Sequence, residues 1–390
     1  MNQRVALYSA VDDALTHYEV DVGHATLTAR ITVRMSAKVQ YAWPHPSRSV
    51  LYVSTSTAGP RMPSAHNHLS AMTVAADGAL SARGPVALLP RRPVHLCLDP
   101  AARFAFNTHN FPLSSITVHR LEDHLQMGDE VVQDPALPCG TYPHQGLVFP
   151  SGRTVLIVDR GHHAQADCEE QPGALRTFHL DAAGRLSPAQ VIAPQGGYGF
   201  GPRHGVFHPT QPWLYLSDER NNRLYMFRLN GDEIEAKPAF TCDTLADPGQ
   251  VRPRQIAGPI HIHPDGKTLY LANRADHTMP HGDVQVFSGG ENNIAVFQID
   301  ASTGEPRPVQ HANVQSFHVR TFACDPSGRL LVTASIKALN TLEGDRVTPV
   351  SAALSLFSIQ DDGRLNFVRK YDVYTPGSQY QFWIGMIGLP

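Results

Sequence analysis

His208-Pro209-Thr210-Gln211, followed at once by the apolar run Trp213-Leu214-Tyr215-Leu216, is a phrase that this chain of 390 residues repeats. It returns as Phe149-Pro150-Ser151-Gly152 before Val155-Leu156-Ile157-Val158, as His263-Pro264-Asp265-Gly266 before Thr268-Leu269-Tyr270-Leu271, and as Asp325-Pro326-Ser327-Gly328 before Leu330-Leu331-Val332. Looser copies stand at Pro46 and Pro100, and the intervals between successive turn prolines run from 50 to 62 residues. Proline presets the first turn dihedral and glycine accepts the positive φ, so each copy predicts a hairpin between two short strands.

A second phrase lies between these hairpins: an alternating strand that ends on an acidic turn, as in Leu175-Arg176-Thr177-Phe178-His179-Leu180-Asp181 and Ile294-Ala295-Val296-Phe297-Gln298-Ile299-Asp300. Related copies begin near Thr16, Leu69, Ile116, Leu224 and Leu354, making seven. Four short strands of period-2 patterning per repeat are the unit of a β-propeller blade. The ends reconcile six hairpin phrases with seven second phrases: Val5-Ala6-Leu7-Tyr8 reads as the second strand of a blade and Phe382-Trp383-Ile384-Gly385-Met386 as its first. The expectation is an all-β, seven-bladed propeller with one blade closed by both chain ends, so that no sheet edge stays open. Residues 1–390 form a single domain on this reading, with no linker and no low-complexity tract. A sandwich array or a solenoid fits the long repeat less well.

Composition narrows the function classes. Lys plus Arg total 32 against 35 Asp plus Glu, a net charge of -3, which speaks against a nucleic-acid surface. Hydrophobic residues reach 42%, enough for a large core. No apolar run is long enough for a signal core or a membrane span, so a cytoplasmic protein with no membrane partner is expected. The five cysteines, Cys97, Cys139, Cys168, Cys242 and Cys324, lack the pairing of a zinc site or a disulfide framework.

Antiparallel pairing puts the start of each first strand and the end of each second strand on one face of the disc. Positions about six residues before the turn proline are Gln40, Val94, His144, Arg203, Gly258 and Arg320; those about ten after it are Ser56, Asn110, Arg160, Glu219, Arg274 and Ile336. His144, Arg160, Arg203, Glu219 and Arg274 thus converge from three adjacent blades on one mouth of the central channel. Buried arginines there form either a structural ion-pair ring or a site for an anionic ligand. A neutral imidazole, a carboxylate and several guanidiniums also supply the base, acid and oxyanion contacts that carbonyl hydrolysis or lactone formation requires.

Pro143-His144-Gln145-Gly146, Gly201-Pro202-Arg203-His204-Gly205-Val206-Phe207-His208-Pro209 and Ser217-Asp218-Glu219-Arg220-Asn221, with Ile260 to Gly266 and Asn273-Arg274, resemble the lactonase family of seven-bladed propellers. That family holds bacterial 6-phosphogluconolactonases and fungal 3-carboxy-cis,cis-muconate lactonizing enzymes. The resemblance covers nearly the whole chain, and the Gly-Pro-Arg-His run is its most specific element. It implies that His144, Arg203, Glu219 and Arg274 match the family's proposed catalytic positions, with no cofactor. Arg160, His204, Asn110 and Arg320 are the candidate substrate-binding residues around them.

The expected activity is hydrolysis of a small anionic lactone, water being activated by His144 or Glu219 while Arg203 and Arg274 hold the carboxylate or the developing oxyanion. The alternatives are a cycloisomerase that closes a lactone from a carboxymuconate-like dicarboxylate, a metal-dependent propeller lactonase of the gluconolactonase type, and a non-enzymatic scaffold that binds proteins through its rim. Extra residues after Gly161 and from Ala275 to Glu291 follow second strands, are expected to line the pocket, and put substrate choice in their reach. His162, His163, Cys168, His277, His281 and Asp283 have no fixed ligand spacing and are expected to be solvated loop residues, with no metal.

Overall fold

In the computed structural model, residues 4–164 and 168–389 are described. Where the residue before the turn proline is His or Asp, its side chain fixes the hairpin. Asp99 Oδ1 accepts the backbone N–H groups of Arg103 and Phe104 at 2.7 Å each, and Asp325 Oδ1 those of Arg329 and Leu330 at 2.8 and 2.7 Å. His208 does this and also ties blades together: its Nδ1 accepts from Thr210 and Gln211, while Nε2 donates to Gly266 O of the next blade at 2.9 Å. His263 Nε2 makes the equivalent bond to Gly328 O at 2.8 Å. The interval-spaced Asp is therefore a turn cap, and His208 and His263 are blade-to-blade ties as well.

Seven antiparallel sheets follow in chain order. Blade 1 runs over Lys38–Pro44, Val50–Ser56, Asn67–Val74 and Leu80–Leu88; blade 2 over Pro93–Leu98, Phe104–His109, Ser115–Leu121 and Met127–Glu130; blade 3 over Pro143–Val148, Thr154–Asp159, Ala174–Leu180 and Leu186–Ile192. Blade 4 takes Pro202–Phe207, Trp213–Asp218, Arg223–Asn230 and Phe240–Asp243; blade 5 Ile256–Ile262, Thr268–Arg274, Asn293–Ile299 and Pro306–Asn313; blade 6 Val319–Cys324, Leu330–Ser335, Ala352–Ile359 and Leu365–Val373. Blade 7 is composite: Gln381–Gly388 pairs antiparallel with Val5–Val11, which continues into Ala14–Asp21 and Thr26–Arg34. The seven-bladed propeller and its closure by both chain ends match the sequence expectation.

Apolar faces of neighbouring blades pack together, as where Leu156 and Val158 of blade 3 meet Leu214 and Leu216 of blade 4. Tyr215 and Tyr270 of the second strands donate to Gly304 O and Gly363 O of the following blade at 2.8 and 2.9 Å. These contacts make a rigid ring on which loops can carry function.

Two hairpins leave the disc on the face where second strands end. Thr278–His281 pairs with Val284–Phe287 inside the Ala275 to Glu291 insert, and Leu339–Glu343 pairs with Arg346–Val350 after the second strand of blade 6. Asn340 Nδ2 donates to Gln285 O at 3.1 Å, so the two hairpins lean on each other. The second of them was not foreseen, because its Gly344 turn lies outside the proline repeat.

Candidate active site

All seven first strands carry a β-bulge near their start, and the unpaired residue falls at the register position read from the sequence. Pairing skips Gln40, Val94, His144, Arg203, Arg320 and Phe382, and in blade 5 Gly258 and Pro259 share one partner. A bulged residue leaves the ladder and has its side chain re-aimed. Seven repeats of one bulge thus put seven side-chain positions around the channel mouth. Asp159 and Asp218, each fully buried at the end of a second strand, pin the approach to it: Asp159 Oδ1 accepts Tyr142 N at 2.8 Å, and Asp218 Oδ2 accepts Gly201 N at 2.9 Å.

Glu219 is the centre of the cluster. Arg160 Nη1 donates to its Oε1 at 2.7 Å, while Arg203 Nε and Arg274 Nη2 lie 2.6 and 3.2 Å from Oε2. The Arg203 Nε–H is poorly aligned with that oxygen, so this contact is an ion pair by distance rather than a directed hydrogen bond. Burial alone would push the Glu219 carboxyl up, but the three guanidiniums outweigh it and hold it at about 2. Arg203 and Arg274 are each 1% exposed; Arg160 and Glu219 keep the cluster's access to solvent. Gly258 gives Arg274 its room: a Cβ there would lie 2.8 Å from Arg274 Nε and 2.9 Å from Ala272 O.

His144 joins this group through its neighbour. Its ring centroid is 5.0 Å from that of His204, and His204 Nδ1 lies 3.2 Å from Arg203 Nη1. Burial, followed by the nearby Arg203 charge, holds both imidazoles well below their usual range, so both are neutral at pH 7. His144 Nδ1 is buried with no partner. His204 also faces the other way: it lines a cavity of about 520 Å³ in the central channel, with Tyr41, Trp43, His261, Thr321 and Trp383. Most of its lining residues follow the bulge positions along the first strands, so this cavity lies further down the channel than the ion-paired cluster.

The other candidates are placed as follows. Arg320 sits with its Cζ 3.8 Å from the Phe382 ring centroid, and Asn110 is buried with neither side-chain polar atom bonded. Two groups escaped the sequence reading. Arg92, 2% exposed, lies two residues ahead of the bulge in blade 2 and so outside the register. His318 Nε2 faces Arg274 Nη1 at 3.4 Å and its Nδ1 is 3.4 Å from Asp276 Oδ2, which also receives Arg254 across the neighbouring oxygen at 2.6 Å. The adjacency of Asp276 to Arg274 in the sequence was the available signal.

The insert after Gly161 stays on this face where it is described. His162 pairs with Gln171, its ring lies 4.7 Å from Tyr142, and Arg220 reaches Glu170 at 2.9 Å and His162 O at 2.8 Å. Gln165, Ala166 and Asp167 of this insert lie outside the described residues. The second insert is partly structural: Val286 is fully buried and Phe287 packs on Phe317 at 4.5 Å. Among the described residues, no three His, Cys, Asp or Glu side chains gather as a metal set would require.

Residues 5–342 match the family described as lactonase, 7-bladed beta-propeller. The chain belongs to this lactonase family. Relatives of this chain include the 6-phosphogluconolactonase of Yersinia enterocolitica, 26% identical over 329 residues, or 84% of this chain and 86% of the relative. A Yersinia pestis protein of the same name is 24% identical over 81% of this chain and 80% of its own. Among solved structures, the periplasmic gluconolactonase of Pseudomonas aeruginosa superposes with a TM-score of 0.71 at 17% identity, over 98% of this chain and 100% of that one. A Lactobacillus plantarum protein gives 0.70 at 18%, over 99% of each chain. These structures share the fold of the lactonase-family propeller.

Proposed function

We propose that the channel mouth hydrolyses a small anionic lactone. The observation that carries this reading is charge imbalance around a neutral base: Arg160, Arg203 and Arg274 crowd a single carboxylate, with His144 beside them. A protein that needed these groups only as a plug would balance its buried charges, since uncompensated ones are costly. An anionic ligand completes the balance.

Glu219 has both carboxylate oxygens taken by three guanidiniums, so its role is to position them. His144 is the group free to act. Its neutral imidazole accepts a proton from water as the water oxygen attacks the lactone carbonyl, and the guanidiniums of Arg203 and Arg274 stabilise the oxyanion that forms. Each guanidinium has five N–H donors and spends only some of them on Glu219, His204, His318 and Ala257 O, leaving others for the substrate. Collapse of the tetrahedral adduct breaks the ring C–O bond, and the imidazolium returns the proton to the leaving alkoxide. The product is a hydroxy acid.

A panel of lactones followed by pH-stat, alongside carboxymuconates followed by absorbance, tests this. Ring opening of lactones that carry a phosphate or carboxylate is the expected result. Conversion of a muconate with no lactone opened would replace hydrolysis by cycloisomerisation, and turnover of neither class would favour the scaffold reading.

A further inference from the structure

Five guanidiniums reach the mouth, yet Glu219 pairs with only three. Arg92 and Arg320 have no carboxylate within 4.0 Å among the described residues. Both lie against one aromatic ring: the Cζ of Arg320 is 3.8 Å and that of Arg92 5.9 Å from the centroid of Phe382. Arg92 Nε is buried without a hydrogen-bond partner. Asn110 is its neighbour across the blade 2 strand pair, where Pro93 faces His109, and both polar atoms of the Asn110 side chain are buried without partners too. An orphaned buried guanidinium, a second guanidinium and the amide N–H group of Asn110 bring together donors for an anion with no carboxylate paired to them.

The cation–π contact with Phe382 offsets part of this cost but offers no hydrogen-bond acceptor. Burial draws Arg92 down to about 10, and burial with the nearby charges of Arg274 and Arg92 draws Arg320 down to about 9, the direction that a bound anion would reverse.

The two groups of cations also occupy different parts of the ring. Arg160, Arg203, Glu219 and Arg274 come from blades 3, 4 and 5, whereas Arg92, Arg320 and Phe382 come from blades 2, 6 and 7. We propose that Arg92 and Arg320, gathered on Phe382 with Asn110 beside them, form a second anion subsite that binds a phosphate or carboxylate carried on the substrate away from its lactone carbonyl. The assignment of that anion to a lactone rests on the function proposed above; the subsite itself does not. On this account substrate selection is set by two positions, one for the reacting ester and one for the remote anion, and a lactone without the second charge leaves the buried Arg92 and the partly exposed Arg320 unpaired.

The test has two arms. In the first, inorganic phosphate and malonate are titrated calorimetrically into the intact protein, and the tighter probe identifies which anion the subsite prefers. Arg320→Gln, at a partly exposed position, and Arg92→Gln should each weaken that binding by about 10- to 100-fold, the scale of a charge-assisted contact, and Arg320→Lys by less. In the second, kcat and KM are measured on glucono-δ-lactone and on its 6-phosphate. The ratio of kcat/KM for the phosphorylated over the neutral lactone should fall by a similar factor in both Gln variants, chiefly through KM for the phosphorylated one. Absence of phosphate and malonate binding in the wild-type protein overturns the subsite, as does unchanged affinity in both Gln variants. If the anion binds, the variants lose it and no lactone is turned over, the subsite stands and the hydrolase reading falls.

Discussion

Replacing Glu219 by Gln keeps the shape of the central side chain and removes the one negative charge among Arg160, Arg203 and Arg274. Breaking a buried charge pair by deleting one partner costs about 3 to 5 kcal/mol, because the other charge stays buried and uncompensated. A chain of 390 residues has an unfolding entropy of about 0.8 kcal/mol per kelvin, so the loss corresponds to a fall in Tm of about 4 to 6 °C. Arg160→Gln should cost much less, since it leaves Glu219 with two buried partners and removes only a group that is 20% exposed. A truncating variant makes a further prediction. In a Glu219→Ala protein the carboxylate and its volume are both gone, so added formate has a vacancy to fill, and at ten times its Kd it should return about 1.4 kcal/mol to that variant. The assay is calorimetric melting of the wild type and of the Gln and Ala proteins with and without formate. A Glu219→Gln protein that melts with the wild type, together with a Glu219→Ala protein that ignores formate, would refute the view that the cluster is an uncompensated cation site.

Three further outcomes follow. His95 is drawn down to about 3, His109, His119, His261 and His318 to about 4, and His144 and His204 well below the usual range, burial being the main cause in each. The unfolded chain therefore binds more protons below about pH 6.5, so stability is lost as pH falls, at up to about 1.4 kcal/mol per pH unit for each such histidine; Tm should drop steeply between pH 6.5 and 5, and a flat profile would contradict the buried neutral state. Deleting residues 382–390 strips the inner strand from blade 7, removes Trp383 and Ile384 from the core and leaves Val5–Val11 as an open edge. Tm should fall on the order of 10 °C, and an unchanged melt would mean that the ends do not close the ring. Gly258→Ala should displace Arg274, because its new Cβ meets both Arg274 Nε and the immovable Ala272 O; turnover at the wild-type rate would show that the close approach is not needed.

The blade count was legible because each hairpin needs its own turn chemistry, and a turn proline, preceded by His or Asp in five of six copies, recurs wherever that chemistry is repeated. The same spacing located His144, Arg203, Glu219 and Arg274, since a fixed register places fixed positions on one face. The bulges were not legible: the extra residue in each first strand has no composition of its own, and Gln40, Val94, His144, Arg203, Gly258, Arg320 and Phe382 share no side-chain type. Nor was the grouping of cations. Arg92 escaped because it stands outside the bulge register, and Phe382 because in the sequence it reads only as core of the closing strand. The sequence also gives charge without pairing, so that Glu219 appeared as a possible base until three guanidiniums were found on its two oxygens.

The central claim is that His144 takes a proton from water at a lactone held by the arginines around Glu219, and the most direct measurement is the rate of ring opening by the His144→Ala protein. Hydrolysis of 6-phosphoglucono-δ-lactone, corrected for its spontaneous opening, should fall by about 100- to 10,000-fold relative to the wild type. The protein should stay folded, because His144 Nδ1 has no hydrogen-bond partner to lose. A folded His144→Ala protein that opens the lactone at the wild-type rate would contradict the account.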